Sequence, residues 1–244
     1  MREPFNRYAL HVRASYNDDT AQIVKQMSSV GLKKFGVMFQ NDAYGKAGLD
    51  GMTLALKDVG QKLVAQASFE RNTVDVAKAV ATLVEVKPDV IVQVGAYKAC
   101  AEFIRQARKA GYGGTFYNLS FVGTRALADE LGKEGAGVVV CQVMPSPYSG
   151  GKLIAREFIE AVKAAGKDAQ VNFSSMEGYV AARVLVEGLK RAGSNITRES
   201  LITGLEATGT LSLGGFNLKL GPNQHVASSY VEMSMLSADG RIRT

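Results

Sequence analysis

The sequence predicts an α/β fold: a doubly wound parallel sheet with helices on both faces, followed by a helical block without strands. Three observations predict it. Short apolar runs of strand length open near residues 35, 62, 89, 115 and 137, about 22 to 27 residues apart. The segments between them carry apolar residues at helical spacing, and after Met144 the strand signal stops while the helical spacing continues. Parallel neighbours need a crossover of a dozen or more residues, and helices of that length cover both faces of the sheet.

The elements follow in order. "YNDDTAQIVKQMSSVGL" reads as a leading helix capped at Asn17 or Asp18, with Ile23, Val24 and Met27 on one face. "KFGVMF" is the first strand, and Leu49, Met52 and Leu56 mark the helix after it, stopped by Gly60. "KLVAQASF" is the second strand, and Val76, Val80, Leu83 and Val84 line the next helix. Pro88 opens the third strand, "PDVIVQVG", without interrupting it. Gly111 stops the helix before "TFYNLS", and "GVVVCQVM" completes the series. "PSPYSGG" is then a loop, followed by helices over 153–165, 175–192 and 198–207, the last capped by Thr197. In the tail, Tyr230 to Leu236 alternates, with Val231, Met233 and Met235 on one face, and "SADG" is a tight turn, so an antiparallel hairpin is expected at a sheet edge.

Composition narrows the function classes. The formal charge is +6 over 244 residues, but the basic side chains are interleaved with acids along helices, which describes a solvated surface and not a nucleic-acid face. No apolar run reaches the ~18 residues of a membrane span. "REPFNRYALHVRAS", after Met1, has neither the apolar stretch nor the cleavage site of an export signal. Cys100 and Cys141 form no CxxC and read as buried thiols, so no metal or other cofactor is expected. His11 and His225 lie in no nucleophile or metal motif, and "SFVGT" and "SLGG" lack glycines on both sides of the serine that a nucleophile elbow needs. No enzyme site emerges.

Ligands of open α/β sheets bind outside the carboxyl ends of the strands, where the strand order reverses. That selects three loops, Asn41 to Gly45, Gly95 to Tyr97 and Ser120 to Gly123. None has the glycine spacing that cradles a pyrophosphate, which disfavours a dinucleotide enzyme. Tyr44, Ala96, Tyr97, Ser120 and Phe121 instead offer aromatic walls and a few hydroxyl groups, a lining for a small organic ligand. Each has a plainer role open to it: the tyrosines pack over helix starts, and Ser120 caps "FVGTRALADELG".

In the order "PFNRYALHVRASYNDDTAQIV", "VMFQNDAYGKAGLDGM", "VGAYKACAEFIRQARKAGY", "SFVGTRALADELG", "SMEGYVAARVLVEGLKRAG" and "GGFNLKLGPNQHVASSYVEM", the chain resembles the branched-chain amino-acid type of ABC-transporter substrate-binding protein. The resemblance runs from about Pro4 to the end and is carried most strongly by "ASYNDD" and "NDAYGKAG". It implies a class I periplasmic binding protein with two α/β lobes joined by three crossovers, and a chain lacking its N-terminal part, including the signal segment. The second lobe is then 17–144 with 211–244, 1–16 is a hinge and lead-in, and 145–210 is the helical remainder of the first lobe, with hinge residues at Ser15, Tyr16, Pro145 and Gly209. Tyr44 and Tyr97 match tyrosines lining the family's cleft. Ser120 falls where amino-acid binders place a glutamate for the ligand's ammonium, which leaves two ligand classes: a branched-chain or aliphatic amino acid, or an amine-free carboxylate, aromatic or not. The resemblance also implies a permease partner and a periplasmic address, with a ligand-sensing regulatory module as the alternative. Leu153, Phe158, Ile159, Val162, Val180, Val184, Leu185, Leu201 and Leu205 are expected to lack their covering strands, and a homodimer is one way to bury them.

Overall fold

The computed structural model describes residues 2, 4–166 and 168–244. The chain forms two compact units, Ser15–Gln142 with Val231–Thr244 and Met1–Ala14 with Val143–Tyr230.

The sheet unit opens with α1 (Tyr16–Ser29), followed by β1 (Phe35–Gln40), α2 (Ala43–Asp58), β2 (Leu63–Phe69), α3 (Ala77–Glu85), β3 (Val90–Val94), α4 (Tyr97–Lys109), β4 (Thr115–Asn118), α5 (Thr124–Leu131) and β5 (Val139–Gln142). All five expected strands are present, parallel, in the spatial order β2-β1-β3-β4-β5. Alternation along the strands feeds two cores. Phe35, Val37, Val90, Val92 and Tyr117 meet Ile23, Val24 and Met27 of α1 and Met52 and Leu56 of α2. Met38, Ile91, Phe116 and Val140 point to the other face, against Val80, Leu83, Phe103, Ile104 and Leu127. The central strand β3 is buried at every residue, as a strand covered on both faces must be. Because α2 leaves β1 on one face and α4 leaves β3 on the other, the chain diverges between the carboxyl ends of these neighbouring strands, which makes a topological switch point.

The cap of α1 differs from the expectation. Ser15, not Asn17 or Asp18, is the N-cap: it accepts from the Asp18 N–H at 3.2 Å while the Asp18 carboxylate accepts the Ser15 N–H at 2.7 Å, a reciprocal capping box. Helix α2 carries Gly45, Gly48 and Gly51 on one ridge. A Cβ would lie 1.8 Å from the Gln40 carbonyl oxygen at Gly45 and 2.6 Å from Val94 Cγ1 at Gly48, and at Gly51 it would crowd Asn17 and Thr20. The bare ridge lets α2 sit directly on the ends of β1 and β3 and against α1.

The second unit holds α6 (Leu153–Ala165), α7 (Phe173–Ala192), α8 (Arg198–Glu206), β6 (Gly209–Leu213) and β7 (Phe216–Leu220). Helix α7 starts two residues before the expected Ser175, because Asn172 and Ser175 form a capping box of their own. Thr197 caps α8 as read from sequence. Phe158, Val180, Val184 and Leu205, expected to lack cover, are buried; Leu153 and Leu185 stay about half exposed, at 48% and 47%. His225 is buried, its Nε2 3.2 Å from a Glu206 carboxylate oxygen, in keeping with a structural role.

The tail divides differently from the expected boundary at 211. β6 and β7 pair with each other in a separate two-stranded sheet, and the turn between them is tied to α6 by the Ile154 N–H donating to the Gly214 carbonyl at 3.1 Å. Residues 211–230 therefore belong with the helices, and the chain passes between units at 14/15, 142/143 and 230/231. The final pair, β8 (Glu232–Leu236) and β9 (Ile242–Arg243), is the expected antiparallel hairpin and extends the sheet beyond β5. Val231 and Met233 pack on the α1–α2 core, whereas Met235, opposite half-buried Val139, is exposed.

Candidate functional site

The carboxyl ends of the strands are built on a row of carboxamides. Gln40, Gln93, Asn118 and Gln142 end, or nearly end, β1, β3, β4 and β5, and all four are buried. The Gln93 amide donates to the Cys100 carbonyl at 3.0 Å in the first turn of α4. The Gln142 amide donates to Thr124 Oγ1 at 2.7 Å and Ser234 Oγ at 2.6 Å, joining β5, α5 and β8. Such bonds satisfy buried polar groups and fix the loops above them.

Above the end of β1, the Gln40 amide donates to Asp42 at 2.5 Å, and Asp42 caps α2 by accepting the Gly45 N–H at 3.0 Å. The Gly45 N–H, then Gln40 and the guanidinium of Arg71, hold the Asp42 carboxyl below its ordinary pKa against the opposing effect of partial burial. Asn41 donates to Glu70 at 2.8 Å. These bonds place Tyr44 in the first turn of α2. Its ring packs between Tyr16, 5.2 Å away at 61°, and Phe121, 5.2 Å away at 59°. Phe121 sits in a single 3-10 turn, Ser120–Val122, and is 59% exposed.

The structure thus brings Tyr44 and Phe121 together and adds Tyr16, which the sequence reading assigned only to a hinge. Tyr97 opens α4 on the other side of the sheet, half-buried against the α3–α5 core and not in ring contact with the trio among the described residues; Ala96 before it is exposed. Ser120 does not cap α5: that helix starts at Thr124, after Gly123 at φ 80°. Instead Ser120 donates its hydroxyl and its N–H to one oxygen of Asp19, a buried acid of α1. Of the hinge residues, Ser15 opens the sheet unit and Tyr16 follows it, Pro145 lies shortly after the 142/143 passage, and Gly209 falls inside the helical unit as the start of β6.

The rest of the chemistry is quiet. Burial pushes the Cys100 and Cys141 thiols well up from their ordinary range, which makes them poor nucleophiles. No cluster of three metal-ligating side chains occurs among the described residues.

The fold is a doubly wound α/β sheet whose switch point carries an aromatic group above a row of buried carboxamides. The chain belongs to the periplasmic binding protein family, whose sequence profile matches residues 2–241. It is 26% identical over 170 residues to Leu/Ile/Val-binding protein homolog 7 of Brucella suis biovar 1, covering 65% of this chain and 41% of that protein. Among solved structures, a possible leucine/isoleucine/valine-binding protein from Rhodopirellula baltica SH 1 superposes with a TM-score of 0.92 at 32% identity, over 98% of this chain and 67% of that one. A substrate-binding periplasmic protein from Ralstonia solanacearum gives 0.89 at 29%, over 98% and 68%. The resemblance to the branched-chain amino-acid type holds, and the chain spans less than half the length of the curated relatives it matches.

Proposed function

We propose that the chain acts as the solute-binding component of an ABC importer, in the periplasm, capturing a small organic ligand at the ends of β1, β3 and β4 and presenting it to a membrane permease. The aromatic group of Tyr16, Tyr44 and Phe121 at the switch point carries this reading. Ring contacts supply apolar area at low entropic cost, and the carboxamide floor keeps them in place. Two ligand classes fit: the aliphatic amino acids in the relatives' names, and amine-free carboxylates with an apolar or aromatic body. Closure on the ligand shifts an open and closed equilibrium, with the chain passages near Ser15 and Pro145 absorbing the rotation. The reading contains no chemical step.

The test is thermal unfolding of the protein against a panel of both classes. A ligand that binds only the native state adds about 2.7 kcal/mol at a hundredfold excess over Kd, a readily measured rise in Tm. A rise that disappears in Tyr44→Ala supports the site. A panel that leaves Tm unmoved at millimolar concentration contradicts it.

A further inference from the structure

We infer that, on the solute-binding reading above, Ser120 is a positioning residue that acts through Phe121, and not the ligand-contacting group expected from its place just after β4. Both of its protons are committed. The hydroxyl donates at 2.6 Å and the backbone N–H at 3.0 Å to one oxygen of Asp19, a residue of α1 with no exposure. A serine has no further proton to give, so no donor is left here for the oxygen of an incoming ligand.

The turn that Ser120 opens is pegged on every side but one. Leu119, fully buried, packs in the α1–α2 core, and Val122 packs in the core on the other face of the sheet. The Val122 N–H donates to the Leu119 carbonyl at 3.1 Å, which closes the 3-10 turn. Between these pegs Ser120 is tied to Asp19, and Phe121 alone stands out, 59% exposed, its ring 5.2 Å from that of Tyr44. With its neighbours fixed, the Phe121 backbone has little choice of direction. Removing the Ser120 hydroxyl loosens the peg next to the ring, and a wall that has to be re-ordered when the ligand arrives binds less tightly than one already held in place.

The experiment measures Kd by calorimetry, on protein shown to be folded by circular dichroism, for the wild type, Ser120→Ala, Ser120→Thr, Phe121→Ala and the Ser120→Ala/Phe121→Ala double variant. The probes are L-leucine, L-phenylalanine, 4-methylpentanoate and 3-phenylpropionate, and the one that binds the wild type most tightly is carried through the series. Phe121→Ala is expected to weaken binding. Ser120→Ala is expected to weaken it about threefold or more, Ser120→Thr to keep it, and the Ser120→Ala penalty to vanish once Phe121 is gone. A bond with a structural role alone lowers Tm and leaves the Kd of the folded protein unchanged in Ser120→Ala; that result overturns the inference. A Ser120→Ala penalty that persists in full in the Phe121→Ala background is the signature of direct ligand contact and overturns it too, as does wild-type binding that Phe121→Ala leaves unchanged. In each of these cases the solute-binding reading stands. Binding of none of the probes up to millimolar concentration overturns both.

Discussion

Ser120 donates its hydroxyl at 2.6 Å and its backbone N–H at 3.0 Å to the same oxygen of Asp19, so the exit of β4 is fastened to the first turns of α1, 101 positions earlier in the chain. Asp19 is fully buried, and the residue after Ser120 is the exposed Phe121. The bond therefore does two things: it satisfies an acid that would be costly to bury without partners, and it sets the height at which an aromatic ring stands over the switch point.

Replacing Ser120 by Ala keeps the backbone donor and removes the hydroxyl. A buried acceptor deprived of one of its donors costs about 1–3 kcal/mol, so Ser120→Ala is expected to lower stability by that amount in urea unfolding. In a double-mutant cycle with Asp19→Ala, a coupling of about 0.5–3 kcal/mol is expected. Additive effects would show that the pair is not energetically linked.

Gly45 gives a sharper steric case. Its Cβ would fall 1.8 Å from the Gln40 carbonyl oxygen, backbone that has no room to yield. Gly45→Ala is expected to cost about 3 kcal/mol or more, or to prevent folding, through overpacking. Gly60 has φ +70° with open space around it, and Gly60→Ala should cost only the ~1–2 kcal/mol of a left-handed residue. Circular dichroism of thermal unfolding separates the two, and similar losses would refute the steric account.

Much of this was legible because it is periodic or local. The five parallel strands, the Thr197 cap and the β8–β9 hairpin follow from alternation, helical spacing and turn residues, and so do the places of Tyr44 and Phe121 just after β1 and β4. The Ser15 cap was readable as S-x-x-D but lost to the more conspicuous Asn17 and Asp18, because capping depends on which residue holds the extended backbone (φ −86°, ψ 168° at Ser15) and not on side-chain type alone. The glycines at 45, 48 and 51 and the carboxamides near four strand ends are visible patterns whose meaning appears only when the neighbouring element is in place. Gly209, expected as a hinge, begins β6 within the helical unit for the same reason: whether a hairpin joins the main sheet or forms its own is decided by tertiary packing.

Asp42 predicts a pH dependence. Its carboxyl is held below the ordinary value by the Gly45 N–H, Gln40 and Arg71. A group whose folded pKa is depressed stabilises the fold above its unfolded pKa, near 3.9, and that contribution is lost as pH falls through the folded value. At pH 7, Asp42→Ala should cost about 0.5–2 kcal/mol for the lost cap, while Asp42→Asn, which still presents an acceptor to Gly45, should cost less. The Asp42→Ala penalty should shrink at pH values below that range. Urea unfolding at pH 7 and at about pH 2.5 tests this, and a penalty constant across both would show that the cap does not depend on the charge.

The aromatic group predicts a division of labour between two rings in contact. Tyr44 is half-buried and touches both Tyr16 and Phe121, so Tyr44→Ala removes two ring pairs of about 0.5–1.5 kcal/mol each together with buried area, and is expected to cost about 2–3 kcal/mol. Phe121 has one such contact and is largely in water, so Phe121→Ala should change stability by about 0.5 kcal/mol, rising to about 1 if the tilted contact with Tyr44 is fully felt. A large apolar ring that the fold does not need is free to serve whatever approaches it, and a Phe121 side chain with a surface role in stability should carry its weight in binding. Guanidinium unfolding of both variants, set beside their affinities for whichever ligand of the panel raises Tm, decides the matter. If Phe121→Ala destabilises as much as Tyr44→Ala, the exposed ring is a structural brace, and the wall of the site must be sought on Tyr97 across the switch point.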